Sequence, residues 1–235
     1  MKRLSTALFA LALAAPIPGL LAGAGRTSPG PVLSERAPLG EPKGPALSER
    51  SPHREPKGPN TWLIDPGHSV AGFSVRHMMI ATVRGTLGAV SGTVEYDGTN
   101  VGGVKADVTI DVKAINTGNA SRDRDLRAAD FFDVAKYPSM TFKSKRAEAA
   151  GAGRFHLVGD LTIRGVTKEV TLDVEGPSPV IKQGKDVRVG ASATTKLNRR
   201  DFGLNYNSMI EAGAVVGDEI TVTIDIEITR PAVVG

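Results

Sequence analysis

Two short stretches of this chain collect the residue types that do chemistry. In "DPGHS", Asp65, His68 and Ser69 are the acid, base and nucleophile of a hydrolytic triad, and "RDRDLRAADFFDVAKYPSMTF" (Arg122–Phe142) opens with Asp123, Asp125, Asp130 and Asp133, the start of a calcium loop. Spacing argues against both. Neighbouring residues on an extended strand point to opposite faces, so Ser69 turns away from His68, and no Gly-x-Ser-x-Gly elbow occurs. In the acidic stretch Arg127 stands at the third ligand position, the central glycine is missing and no Glu closes the loop. The expectation there is a solvated face on which the carboxylates pair with Arg122, Arg124 and Arg127. His77 shares parity with Phe73 and Val75 and is expected to point inward, whereas His156 falls on an outward face and His53 lies far upstream, so the histidines make no zinc site. With no cysteine there is no disulfide, thiol nucleophile, thiolate metal site or lipid-modified cysteine. No phosphate loop or dinucleotide fingerprint is present. The reading assigns no catalytic residue, no metal and no cofactor.

The elements that position these residues are strands. "KADVTIDVKA" (Lys105–Ala114) alternates Ala106, Val108, Ile110, Val112 and Ala114 with polar residues, the period of a half-buried strand. Similar alternation runs through "RFHLVGDLTI", "VTKEVTLDVE" (broken only by Lys168), "VRVGASATTKL" and "EITVTIDIEITR". With residues 69–77, 81–97 and 139–145 this predicts about eight strands separated by turns. Strands with one apolar face require two packed sheets or a closed barrel. Ala71, Ala89, Ala106, Ala114, Gly159, Ala191 and Ala193 are too small to fill such a barrel by themselves, so larger side chains, a helix or a ligand must take up the space. The polar outward faces and the 5% aromatic content exclude a lipid-facing band, and with it an outer-membrane barrel. One short helix is predicted near residues 121–132, capped by Ser121, with Leu126, Ala129 and Phe132 on one side and its end before Pro138. It has the shape of a cap. Phe73, Phe131, Phe132, Phe142, Phe155 and Phe202 together point to a long hydrophobic cavity.

Upstream the composition changes. Residues 1–24 place Lys2 and Arg3 before an apolar run that ends in Ala22-Gly23-Ala24, the pattern of a secretory signal peptide. Residues 25–60 contain two successive fourteen-residue units, "VLSERAPLGEPKGP" and "ALSERSPHREPKGP", too rich in proline and too poor in apolar side chains to fold, and are read as a disordered tether. No other stretch is apolar for long enough to cross a membrane as a helix. The net charge of +4 comes from these upstream segments, because from Thr61 onward 21 Lys+Arg balance 21 Asp+Glu. A nucleic-acid partner therefore has no basis.

Four blocks, "WLIDPGHSVAGFSVRHMMIATVRG", "RDRDLRAADFFDVAKYPSMTF", "GDLTIRGVTKEVTL" and "NRRDFGLN", occur in this order, and from about Thr61 to Arg230 the chain resembles the YceI-like family of polyisoprenoid-binding proteins. The family's Asp-x-x-His-Ser falls on Asp65, His68 and Ser69, and its Phe-x-Val-x-His-Met on Phe73, Val75, His77 and Met78. Its Val-Arg-Gly falls on Val83, Arg84 and Gly85, its Asp-Phe-Phe-Asp on Asp130–Asp133, and its Arg-x-Asp-Phe-Gly on Arg199, Asp201, Phe202 and Gly203. Where the family often has His-Leu in the helix block, this chain has Asp125-Leu126. The resemblance implies an all-β, antiparallel lipocalin-like barrel over residues 61–230, exported to the periplasm or secreted, holding a long-chain isoprenoid or quinone-type lipid as a non-enzymatic carrier. The residues expected to touch that lipid are Phe73, Val75, His77, Met78, Leu87, Ile110, Phe131, Phe132, Met140, Phe142, Leu161, Ile163, Ala191 and Phe202. An enzyme acting on such a lipid through His77 and a carboxylate, a structural or stress-response envelope protein with a filled barrel, and a homodimer all stay open.

Overall fold

A computed structural model describes residues 58–206, 209–210 and 213–232, with the side chains of residues 209–210 and 213–214 left aside. The signal peptide and all but the last residues of the tether lie outside the described residues. The chain forms β1 (Thr61–Ile64), β2 (Val70–His77), β3 (Ala81–Gly88), β4 (Val90–Glu95), β5 (Lys105–Asp111), α1 (Ala120–Arg127), β6 (Ser139–Ala149), β7 (Arg154–Ile163), β8 (Val166–Glu175), β9 (Ile181–Gln183), β10 (Asp186–Asn198), β11 (Met209–Ile210), β12 (Gly213–Ala214) and β13 (Val216–Pro231).

Eight of these strands close a barrel. Hydrogen-bonded neighbours run β13-β1-β4-β5-β6-β7-β8-β10, and β10 returns to β13 through an antiparallel register from Asp186↔Pro231 to Asn198↔Glu219. The hairpin β2–β3 extends this wall along the first half of β13, whose far half pairs with β1. Ile220, Val222, Ile224, Ile226 and Ile228, inward by period two, all face the interior.

Three expectations need correction. The stretch 81–97 is two strands, because Gly88 turns the chain at φ +133°, where a Cβ would sit 1.9 Å from the Asp111 carbonyl oxygen; Ala89 is exposed in that break. "KADVTIDVKA" leaves the sheet after Asp111 and enters a 3-10 turn, Val112–Ala114, so Ala114 is exposed as well. The helix starts at Ala120 and stops at Arg127, with Asn119 and not Ser121 as its cap; the Asn119 side chain accepts from the Arg122 N–H. Phe131 and Phe132 lie beyond it, in turns.

The registers sort the connections between two ends. At one lie the β2–β3 turn, the α1 segment, the β7–β8 turn and residues 199–206; at the other lie the β4–β5, β6–β7 and β8–β10 connections and the start of β1. The β8–β10 seam is short, paired only from Ser192↔Glu175 to Thr194↔Asp173. Lys168, the one break in the alternation of its strand, is exposed beyond that ladder, on the stretch of β8 where pairing to β10 has ended.

Candidate functional site

The inward faces of the strands enclose a cavity of about 230 Å³ whose lining is almost wholly hydrocarbon. Small and large residues divide the labour. Ala106, Ala191 and Ala193 leave space, while Phe142 lies across β7 over Gly159, where a Cβ would come within 2.7 Å of its ring and 2.5 Å of the Lys143 carbonyl oxygen. Among the described residues, the two side chains that reach the lining with an ionisable group are Tyr96 and Arg199. Burial pushes the Tyr96 phenol up, as does the Asp97 carboxylate beside it, so that group stays neutral and weakly polar.

Of the residues expected to meet a ligand, Phe73, Val75, Leu87, Ile110, Phe131, Phe132, Met140, Phe142, Leu161, Ile163, Ala191 and Phe202 line this cavity. His77 and Met78 do not. His77 is the last residue of β2, half-buried between Ala81 and Val216 across the ladder, and Met78 has left the strand in a left-handed conformation, φ +49°. Strand parity predicts a face only while the strand lasts. Leu126 reaches the lumen and Asp125 is exposed.

Burial distinguishes the two ends. Around the start of β1 the lining residues Tyr96, Val104, Phe155, Val174 and Val189 are buried. Trp62, fully buried, shares their layer, donates from Nε1 to the Tyr96 carbonyl at 2.8 Å and lies 4.6 Å from the Arg230 guanidinium. At the α1 end Met140, Ile163, Phe202 and Leu204 are buried too, but Phe73, Val75, Leu126, Phe131, Phe132, Leu197 and Ile220 keep surface uncovered. The lumen thus has a floor at Trp62 and a mouth beside α1.

The charged residues of "RDRDLR" build the rim of that mouth. Asp123, buried, accepts from Thr117 N–H at 2.8 Å and Thr117 Oγ1 at 2.5 Å; the Thr117 hydroxyl, against the opposing effect of burial and helped by Arg127 and Arg122, holds its carboxyl below the usual range. Arg122 donates to Thr117 Oγ1 and O, and Arg127 to the carbonyls of Lys113 and Ile115. These side chains lash α1 to the 113–117 segment, in place of the expected solvated ion pairs. Arg164, in the β7–β8 turn, donates to the carbonyls of Ala129 and Gly203 and ties both sides of the mouth to the barrel. Arg199 is buried, and its guanidinium donates to the carbonyls of Leu204, Tyr206 (2.8 Å), Gly217 (3.0 Å) and Val216 and to Asp218 (2.9 Å). Burial lowers its pKa while Asp218 counters that effect. The guanidinium is taken up by backbone carbonyls and the Asp218 carboxylate.

"DPGHS" is a turn, not an extended strand, so the expected reason for separating Ser69 from His68 is replaced by another. Asp65 Oδ1 accepts from Gly67 N–H, and Asp65 Oδ2 lies 3.1 Å from His68 Nδ1. Ser69 Oγ is engaged elsewhere, accepting from the Glu227 N–H at 3.1 Å and contacting the Glu227 carbonyl at 3.4 Å. This loop crosses β13 where its partner changes from β2 to β1, and Ser69 with the Asp65 N–H completes the ladder there. Ligand-type atoms of Asp65, His68 and Glu227 lie within 4.8 Å of one another. Arg188 Nη1 already donates to Asp65 Oδ2 at 3.0 Å and to the Glu227 carboxylate, supplying the countercharge a metal would bring. Burial raises the Asp65 carboxyl, but hydrogen bonds from His68, Gly67 and Arg188 outweigh it, so its pKa is lowered.

Sequence reasoning missed β1 with Trp62, and the roles of Asp123, Arg164, Arg188 and Glu227. The alternation of Trp62 and Ile64 was the available sign of β1; the arginines gave none, because Arg164 bonds to backbone carbonyls and Arg188 to carboxylates 123 and 39 residues away in the chain.

An eight-stranded antiparallel barrel with an apolar lumen, a packed floor and a helix at its mouth defines a lipocalin-like protein. The YceI-like domain profile matches residues 62–228, and the chain belongs to the YceI-like family. The UPF0312 protein SAS2572 of Staphylococcus aureus (strain MSSA476) is 36% identical over 154 residues, 65% of this chain and 86% of that protein. The solved YCEI protein of Campylobacter jejuni is 33% identical, with a TM-score of 0.58 over 67% of this chain and 90% of its own. A polyisoprenoid binding domain from Saccharophagus degradans, implicated in plant cell wall breakdown, shares the fold at 18% identity and a TM-score of 0.53, over 73% of this chain and 99% of its own.

Proposed function

We propose that this protein carries a long apolar lipid of the isoprenoid or quinone type in its lumen, without altering it chemically. The observation that carries this reading is the lining: hydrocarbon from floor to mouth, with Arg199 committed to backbone oxygens. Each methylene buried contributes about 0.8 kcal/mol, so a long chain binds tightly with few polar contacts, and its polar head stays at the mouth. The polyisoprenoid binding domain of S. degradans supports the same ligand class. Residues 1–24 are proposed as a signal peptide delivering the protein to the periplasm or beyond, residues 25–60 as a tether and 61–230 as the carrier domain. Organic extraction of the purified protein followed by mass spectrometry, and uptake of a prenyl alcohol added from solvent, test the reading. Bound or captured prenyl lipid is expected; neither one being found overturns it. His77→Ala is expected to leave capture unchanged, since His77 stands outside the lumen.

A further inference from the structure

The β2–β3 turn ends in Met78, Met79 and Ile80, and the last two present most of their surface to solvent, 58% and 79%. The turn is built rather than frayed. Arg76 donates from Nη2 to the Met79 carbonyl at 2.7 Å and from Nη1 to Thr82 Oγ1 at 2.9 Å, and the Met78 N–H bonds to the Val215 carbonyl at 2.8 Å. Met78 and Met79 both hold positive φ, +49° and +60°, in a turn for which Asn-Gly is the favoured pair. Two apolar side chains are thus held outward on a braced tip at the mouth end of the barrel. At the same end Tyr206, 44% exposed, packs at a tilt against the lumen residue Phe131 with ring centroids 4.7 Å apart.

We propose that this end is a membrane-docking face. Met79 and Ile80 enter the headgroup boundary of a lipid bilayer and set the mouth against it, so that a chain passes from bilayer to lumen without crossing water. The occupant follows from the lumen itself: a hydrocarbon-lined cavity takes a cargo that resides in membranes, and crossing water would expose each methylene of it. Arg76 and Arg84 flank the tip, while the α1 segment at the same end carries both signs, so attraction is chiefly apolar and differs from that of a polybasic patch. The proposal rests on the carrier reading.

The absence of native cysteine allows a local test in the full chain. Ile80→Cys carries a polarity-sensitive fluorophore, and Ile181→Cys, an exposed apolar site at the floor end (62%), carries it as the control. On adding phosphatidylcholine vesicles a blue shift is expected at residue 80 and none at 181, retained at high salt. In parallel, Met79→Gln/Ile80→Gln is expected to slow extraction of a prenyl alcohol from vesicles by about tenfold or more, with its capture from solvent unchanged. No shift at residue 80, equal shifts at both sites, a shift confined to anionic vesicles and abolished by salt, or a shift without vesicles that tracks self-association would each overturn the proposal. Unimpaired extraction by the double variant would do so as well. Failure of the wild type to capture prenyl alcohol from solvent overturns the carrier reading instead, which keeps the two failures apart.

Discussion

Ser69 and Glu227 are 158 residues apart in the chain, yet one hydroxyl serves both backbone groups of Glu227 at the point where β13 changes partner. Ser69→Ala leaves a part-buried N–H without that acceptor, at a cost of about 1–3 kcal/mol. Chemical denaturation should show a lower midpoint with the barrel otherwise intact, and an unchanged midpoint would refute this role. Asp65 makes the same brace pH-dependent. Its folded pKa is depressed, so its contribution is fully present above the ordinary Asp value of about 3.9 and is lost as pH falls through the lower folded value. Acid unfolding of Asp65→Asn should therefore begin from lower stability at neutral pH and show a shallower loss below about pH 4. Arg199→Met removes the donor that gathers the carbonyls of Leu204, Tyr206 and Gly217 and should destabilise by about 2–4 kcal/mol, with the mouth losing amide protection first. The type of each of these residues was visible in the sequence; the distant partners of Ser69 and Arg199, and Arg188 beside Asp65, were not, since a hydrogen bond to a remote group leaves no spacing to read.

Among the elements, α1 shows how far a local pattern reaches. Leu126, Ala129 and Phe132 at three-residue spacing suggested a helix through 132, but Ala128 is extended, and the Phe132 and Val134 N–H groups bond back to the carbonyls of Leu126 and Arg127. Leu126 and Phe132 both reach the lumen while Ala129 is exposed. The spacing recorded what the segment covers, through a short helix followed by turns. Because Asp123 and Arg164 lash that segment down, Asp123→Ala and Arg164→Ala should speed amide exchange over residues 113–134 severalfold while leaving β5–β8 protected. Release of a bound prenyl chain should quicken in step. Equal loss of protection throughout the barrel would show that the lashings serve the whole fold and not the rim.

At the scale of the molecule the decisive quantity is the space left inside. Ala193 faces the lumen, and Ala193→Phe should fill part of it. Prenyl-chain affinity is expected to fall by about tenfold or more, the loss of two or so buried methylenes at about 0.8 kcal/mol each, while stability holds or rises because the ring enters a void. Titration with a fluorescent prenyl analogue and thermal unfolding check both halves. Alternation settled, from the sequence alone, which residues of β5, β7, β8, β10 and β13 face inward and that the interior is hydrocarbon, because period two is a local property of the extended chain; its small inward residues posed the question of what fills the space. Which strands close the barrel, where β13 passes from β2 to β1, and which end is the floor depended on pairings such as Ile64↔Ile228 and Asn198↔Glu219 and on arginines bound to distant carbonyls. Period two assigns a side chain to a face and says nothing of its neighbour; tertiary structure alone chose the neighbours, and with them the end at which the lumen opens.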